Sequence, residues 1–126
     1  MNNVLLVAAG GAIGASARHL VGVASLRAFG SSFPYGTLIV NVAGCLVMGI
    51  FVGLLAARFQ GSEALRLFVA TGFLGGFTTF SAFSLDFTVL SDRGETALAI
   101  GYVAVSVLVS LGALAAGMWL VRNVIA

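Results

Sequence analysis

Charge is scarce in this sequence. Only 8% of its 126 residues are charged, against 60% hydrophobic, and the mean hydropathy is +1.15. A water-soluble domain of this length must clothe most of its surface in polar groups, and this chain has too few. Lysine is absent, so the basic complement is six arginines against four acids, a net charge of +2. So thin and scattered a set excludes a nucleic-acid footprint. The single cysteine, Cys45, cannot form an intrachain disulfide, and in an apolar stretch it says little about redox compartment. The single histidine, His19, has no evident nucleophile partner, which argues against an intramembrane protease. No ATP-binding motif is present.

What the chain does have is apolar length. A bilayer core takes roughly 20 mostly apolar residues to cross. Four windows satisfy this, near Val4–Leu26, Gly36–Ala57, Leu65–Leu90 and Ala97–Val121. The N-terminal window lacks a basic segment before its apolar run and is expected to be a retained span rather than a cleaved signal. The joints "RAFGSSFPY", "RFQGSE" and "SDRGE" are short, so neighbouring helices should run antiparallel. The expectation is an all-α membrane protein, a single four-helix transmembrane domain over residues 1–126. Arg18, Arg27 and Arg93 fall on one side of it and Arg58, Arg66 and Arg122 on the other. Arginine bias normally sets orientation, and this tie permits insertion both ways up.

Small residues recur at four-residue spacing: Gly10 and Gly14, Gly49 and Gly53, Gly72 and Gly76. Such pairs let helices approach closely in lipid. Packing within the chain should use some of them and leave the rest for a homodimer. If both orientations coexist, that dimer is antiparallel, with its two-fold axis in the membrane plane.

Several polar residues sit where lipid should not tolerate them. Thr37, Asn41 and Cys45 share a stripe of the second span, and Tyr102, Ser106 and Ser110 a stripe of the fourth. A buried amide costs roughly 2–7 kcal/mol unless paired. Asn41 is therefore either a helix–helix hydrogen bond or an N–H donor aimed at a passing anion. In the third span Phe80, Phe83 and Phe87 run beside Ser81, Ser84 and Thr88. Phenylalanine stripes serve packing or lipid contact, but a phenyl ring also has a positive edge that can face a small anion. The preceding "TGFLGGFTTF" reads either as a GxxxG packing pair or as an unwound turn. Unwound backbone in a membrane is tolerated only where protein, water or an ion satisfies it. Arg18, roughly 22 Å along the first helix, reads as a snorkelling interfacial residue or as a positive vestibule. Asp86 is the one acid inside a span, close to its end.

With these stretches together the sequence resembles the Fluc/CrcB family of small fluoride channels. The resemblance covers essentially the whole chain and rests on "GGAIGASAR", "YGTLIVNVAG" and "TGFLGGFTTFSAFS". It implies an antiparallel, dual-topology homodimer in the bacterial inner membrane, with two fluoride pores. It also implies a third helix broken near mid-membrane, and a structural Na+ at the dimer interface held by the backbone carbonyls of Gly75 and Thr78. The pore residues it implies are Asn41, Phe80 and Phe83, with a polar track of Thr79, Ser81, Ser84, Tyr102, Ser106 and Ser110. Arg18 matches the vestibule arginine. Ala82 departs from the family's more frequent threonine, which removes one hydroxyl from that wall.

Fluoride is small and strongly hydrated, so its pathway must offer several weak donors in place of water while staying too narrow for chloride. Amide, hydroxyl and ring-edge donors meet that need. A dual-topology small multidrug exporter shares the size and the charge tie, but needs a buried acid for proton coupling, and none lies well inside a span. A non-transporting membrane assembly subunit would use the same polar residues only to bind helices together.

Overall fold

Polar side chains and glycines set the helix ends. Asn2 accepts the Val4 amide at 2.9 Å, opening α1 (Asn3–Phe29), and Gly30, with φ of 79°, ends it. α2 spans Tyr35–Ala57, beginning directly after Pro34. Ser62 caps the short α3 (Glu63–Arg66), which runs into a π-helical segment, Leu67–Leu74, and then into α4, Gly75–Phe77. α5 (Phe80–Asp92) is capped by the Thr79 hydroxyl, and α6 (Thr96–Leu120) continues into a second π-helical segment, Val121–Ile125. The computed structural model describes residues 2–58 and 61–125, and every regular element among them is helical. Phe59 and Gln60 of the "RFQGSE" joint, and Met1 and Ala126 of the expected 1–126 domain, lie outside the described residues.

Four stretches are long and apolar enough to cross a membrane: Asn3–Phe29, Tyr35–Ala57, Glu63–Asp92 and Thr96–Ile125. Each expected window falls inside one of them. α2 packs chiefly on α6, while α1 packs on the π-helical segment and α4. Glycine makes both contacts possible. A Cβ on Gly117 would lie 2.5 Å from the Leu46 carbonyl oxygen, and one on Gly72 would lie 3.0 Å from the Gly10 Cα. Backbone therefore touches backbone at both crossings, as small residues allow in lipid.

The small-residue pairs need a correction. All six of those glycines meet atoms of this same chain: Gly10, Gly14, Gly72 and Gly76 at the α1 crossing, Gly49 against Leu114, and Gly53 against Val121. None of the three pairs remains for a homodimer.

The core is small, as four helices of this length dictate. Phe83, Leu90, Ala99 and Tyr102 form its buried cluster, with Phe33, Leu38 and Val103 packed against it. Large apolar side chains such as Leu20, Leu108, Leu111 and Trp119 point outward. That exterior would be intolerable in water and suits a hydrocarbon solvent.

Candidate functional site

α4 ends at Phe77, and the next two residues leave the helical conformation. Thr78 (φ −88°, ψ 158°) and Thr79 (φ −153°, ψ 126°) are extended, and α5 starts at Phe80. The Thr78 amide still closes on the Leu74 carbonyl at 3.0 Å, and its hydroxyl donates to the same oxygen at 2.9 Å. The Thr79 amide instead donates to Asn41 Oδ1 at 2.8 Å, while the Thr79 carbonyl accepts from Asn41 Nδ2 at 3.0 Å. One side chain from α2 thus satisfies both backbone groups of the extended residue. From the other side Arg18 Nε, on α1, donates to the Gly76 carbonyl at 3.0 Å. Unpaired backbone groups in a membrane interior cost several kcal/mol each, so these two side chains make the extended pair sustainable.

A cavity of about 300 Å³ lies beside the extended pair. Asn41, Cys45, Thr78, Thr79, Phe80, Phe83, Ser106 and Ser110 line it, with Val107 and Leu111. The Phe80 and Phe83 rings sit 5.5 Å apart, tilted by 58°. Phe83 is 8% exposed, whereas Phe80 is 77% exposed. The Ser106 and Ser110 hydroxyls are buried, and neither closes a hydrogen bond of good geometry among the described residues. The Ser106 hydroxyl lies within reach of the Tyr102 phenol, one turn earlier on α6. Thr79 also lines a second cavity of about 430 Å³, together with Arg18, His19, Thr37 and Asp86.

The structure places the expected site residues unevenly. Asn41, Thr79, Phe80, Phe83, Ser106 and Ser110 converge on one cavity. Asn41 is a helix–helix tie to backbone, and its amide keeps a second N–H beyond that tie. The row of Tyr102, Ser106 and Ser110 is divided: Tyr102 is 1% exposed and donates its hydroxyl to Asp86 Oδ2 at 3.0 Å. Its ring packs on Phe33 and Phe83, which draws it into the core and out of the cavity wall. Ser84 is exposed and donates to the Phe80 carbonyl at 3.1 Å, the back-bond common to hydroxyls in helices. Ser81 is exposed and shares a hydrogen bond with the Thr79 hydroxyl at 3.3 Å. Arg18 is not a snorkelling end residue, because α1 runs well past it to Phe29 and its guanidinium turns inward. The Gly75 and Thr78 carbonyls flank the end of α4, where the Thr79 amide that would close on Gly75 is taken by Asn41.

Two features go beyond the site residues expected from the sequence. Cys45 enters the cavity wall through its stripe with Asn41, and that spacing was a usable signal. The Asp86–Tyr102 pair, by contrast, joins two helices with no local spacing to reveal it.

These features define a small membrane protein of four helices long and apolar enough to span a bilayer, with a largely apolar cavity beside Asn41, Thr78 and Thr79. The chain belongs to the CrcB family, described as "CrcB-like protein, Camphor Resistance (CrcB)", whose sequence profile matches residues 5–118. It is 52% identical to a fluoride-specific ion channel FluC of Mesorhizobium japonicum, over 98% of each chain. A FluC of Chelativorans sp. is 53% identical over 99% of this chain and 100% of its own, and one of Sphingopyxis alaskensis 53% over 98% of each.

Proposed function

We propose that this chain is a passive, fluoride-selective channel of the bacterial inner membrane, a multi-pass protein that lets fluoride leave the cell. The observation that carries this reading is the convergence of Asn41, Phe80, Phe83, Ser106 and Ser110 on one cavity beside the extended Thr78–Thr79 pair. Fluoride there would accept hydrogen bonds from both serines and the spare Asn41 N–H, and would face ring edges. None of these is a full positive charge, so the ion can leave again. Arg18 supplies positive potential from the neighbouring cavity, with its Nε already committed to Gly76. The likeness to proteins named fluoride-specific channels over nearly their full length supports the same reading over a multidrug exporter or an assembly subunit.

In this reading the working unit is an antiparallel, dual-topology homodimer with two pores, and the interruption at Thr78–Thr79 lies near mid-membrane. A structural Na+ fits the carbonyls of Gly75 and Thr78. Hard cations take oxygen ligands, and the amide that would have paired with Gly75 is diverted to Asn41. The ion would supply a fixed positive charge between the protomers that favours anions. Ser81, Ser84 and Tyr102 act at the margins of the pathway rather than in the cavity wall.

Purified protein in fluoride-loaded liposomes should release fluoride passively with little chloride flux, and folded protein without fluoride flux would remove the reading. Ser106→Ala and Ser110→Ala should each cut fluoride efflux about tenfold by removing one donor. Ser110→Ala should not destabilise the fold, because truncating an unpaired buried hydroxyl relieves a desolvation cost of about 1–3 kcal/mol. Unchanged efflux in both variants would return the serines to helix packing.

A further inference from the structure

We propose that Asp86 is a positioning residue of the fluoride pathway: by taking the Tyr102 proton it turns neighbouring hydroxyl dipoles away from the cavities, so that the anion is held weakly and released. The proposal rests on the channel reading above. Tyr102 is 1% exposed, yet its phenol is a junction between helices. It donates to Asp86 Oδ2 on α5 at 3.0 Å, and the hydroxyls of Thr37 on α2 and Ser106 on α6 lie within hydrogen-bond reach of it. Thr37 lines the cavity of about 430 Å³ and Ser106 the one of about 300 Å³, so the junction joins the polar walls of both. The Ser106 hydroxyl closes onto no partner among the described residues, which leaves its proton free to take either direction. Asp86 is half-buried, and it lines both the larger cavity, with Arg18 and His19, and a third of about 180 Å³, with Arg93.

The chemistry of the acceptor sets the direction of the protons. An ionised carboxylate can only accept, and a phenol has one proton to give. With that proton committed to Asp86, the Tyr102 oxygen can only accept, so Thr37 and Ser106 aim their protons at it. A charged terminus polarises such a row and strengthens each bond in it. A hydroxyl dipole turned toward the phenol lowers the positive potential that the adjoining cavity offers an anion, whether or not its oxygen touches the ion. Conduction needs sites weak enough to leave as well as favourable enough to enter, and Asp86 supplies the weakness. Asparagine at this position keeps the size and can still meet the phenol. Its amide donates as well as accepts and carries no charge. The phenol proton is then released to serve Thr37 or Ser106, and their protons turn outward.

The test is fluoride efflux from proteoliposomes of the full chain over a range of fluoride concentrations, which separates half-saturation from maximal rate. Asp86→Asn should lower both about threefold to tenfold, since redirecting one hydrogen bond is worth at most about a factor of ten. Loss of the negative charge also acts on the anion directly through space, and Tyr102→Phe separates the two effects by removing the junction while keeping the carboxylate. In the Tyr102→Phe background Asp86→Asn should change neither parameter further. An effect as large there as in the wild-type background overturns the proposal, as does an Asp86→Asn protein with both parameters unchanged. Thr37→Val is the second arm where Tyr102→Phe does not fold: it removes one redirected hydroxyl and should shrink the Asp86→Asn effect, and an undiminished effect is again fatal. The Raman ring doublet of tyrosine reports whether a phenol donates or accepts. The chain has two tyrosines, so Tyr35→Phe leaves Tyr102 as the one observed. Its doublet should move from strong donor toward acceptor in Asp86→Asn, and an unmoved doublet overturns the proposal even in protein without efflux. Absence of efflux in the wild type counts against the channel reading instead.

Discussion

Asn41→Asp is expected to lower fluoride efflux about a hundredfold or more, from two interactions lost or reversed at about 1–3 kcal/mol each, with about 1.4 kcal/mol per factor of ten. The native amide is matched to both groups of Thr79, accepting from its N–H at 2.8 Å and donating to its carbonyl at 3.0 Å. A carboxylate can accept but cannot donate, so it would confront the Thr79 carbonyl with a second acceptor. Its negative charge would also stand in the wall that fluoride must approach. Asn41→Ala separates the two effects. It adds no charge but leaves both backbone groups unpaired, and should lower thermal stability in detergent as well as efflux. Efflux of Asn41→Asp at the wild-type rate would show that neither the tie nor the local potential matters to conduction.

The Asn41 result also shows where sequence reading stops. The cost of a buried amide was legible, but its partner was not, because Thr79 is remote along the chain and no local pattern joins the two. The four spans were legible because apolar length is a local property, and the structure extends each window only at its ends. The residue kinds around Thr78 and Thr79 were legible too, since adjacent glycines and threonines weaken a helix there. Helical stripes do not reveal side-chain partners on other helices: the Tyr102 phenol meets Asp86 and its ring meets Phe33 and Phe83. Nor do they show that a hydroxyl such as that of Ser84 has its own preceding turn as a competing acceptor. The π-helical segment Leu67–Leu74 had no sequence signal, and it lies where α1 presses glycine backbone against it. Such widened turns depend on tertiary contact rather than on residue propensity.

Phe80 and Phe83 look alike in sequence and should behave differently when replaced. Phe83 is 8% exposed and packs its ring 5.2 Å from that of Tyr102, so Phe83→Ile disturbs the core as well as the cavity. A loss of about 1–3 kcal/mol in stability should accompany its reduced efflux. Phe80 is 77% exposed in the single chain, and its ring is held mainly by its neighbour Phe83 at 5.5 Å. Phe80→Ile keeps apolar bulk but removes the positive ring edge that an anion would meet. Its stability, measured by thermal unfolding in detergent at fixed protein concentration, should move by no more than about 0.5 kcal/mol. Its fluoride efflux should nevertheless fall about tenfold or more, because one of the few weak donors in the pathway is gone. A large exposed ring that can be deleted without structural cost, yet not without functional cost, is hard to explain by packing. Wild-type efflux in Phe80→Ile would leave lipid contact as the reason for the ring, and Ser106 and Ser110 as the anion's remaining hosts.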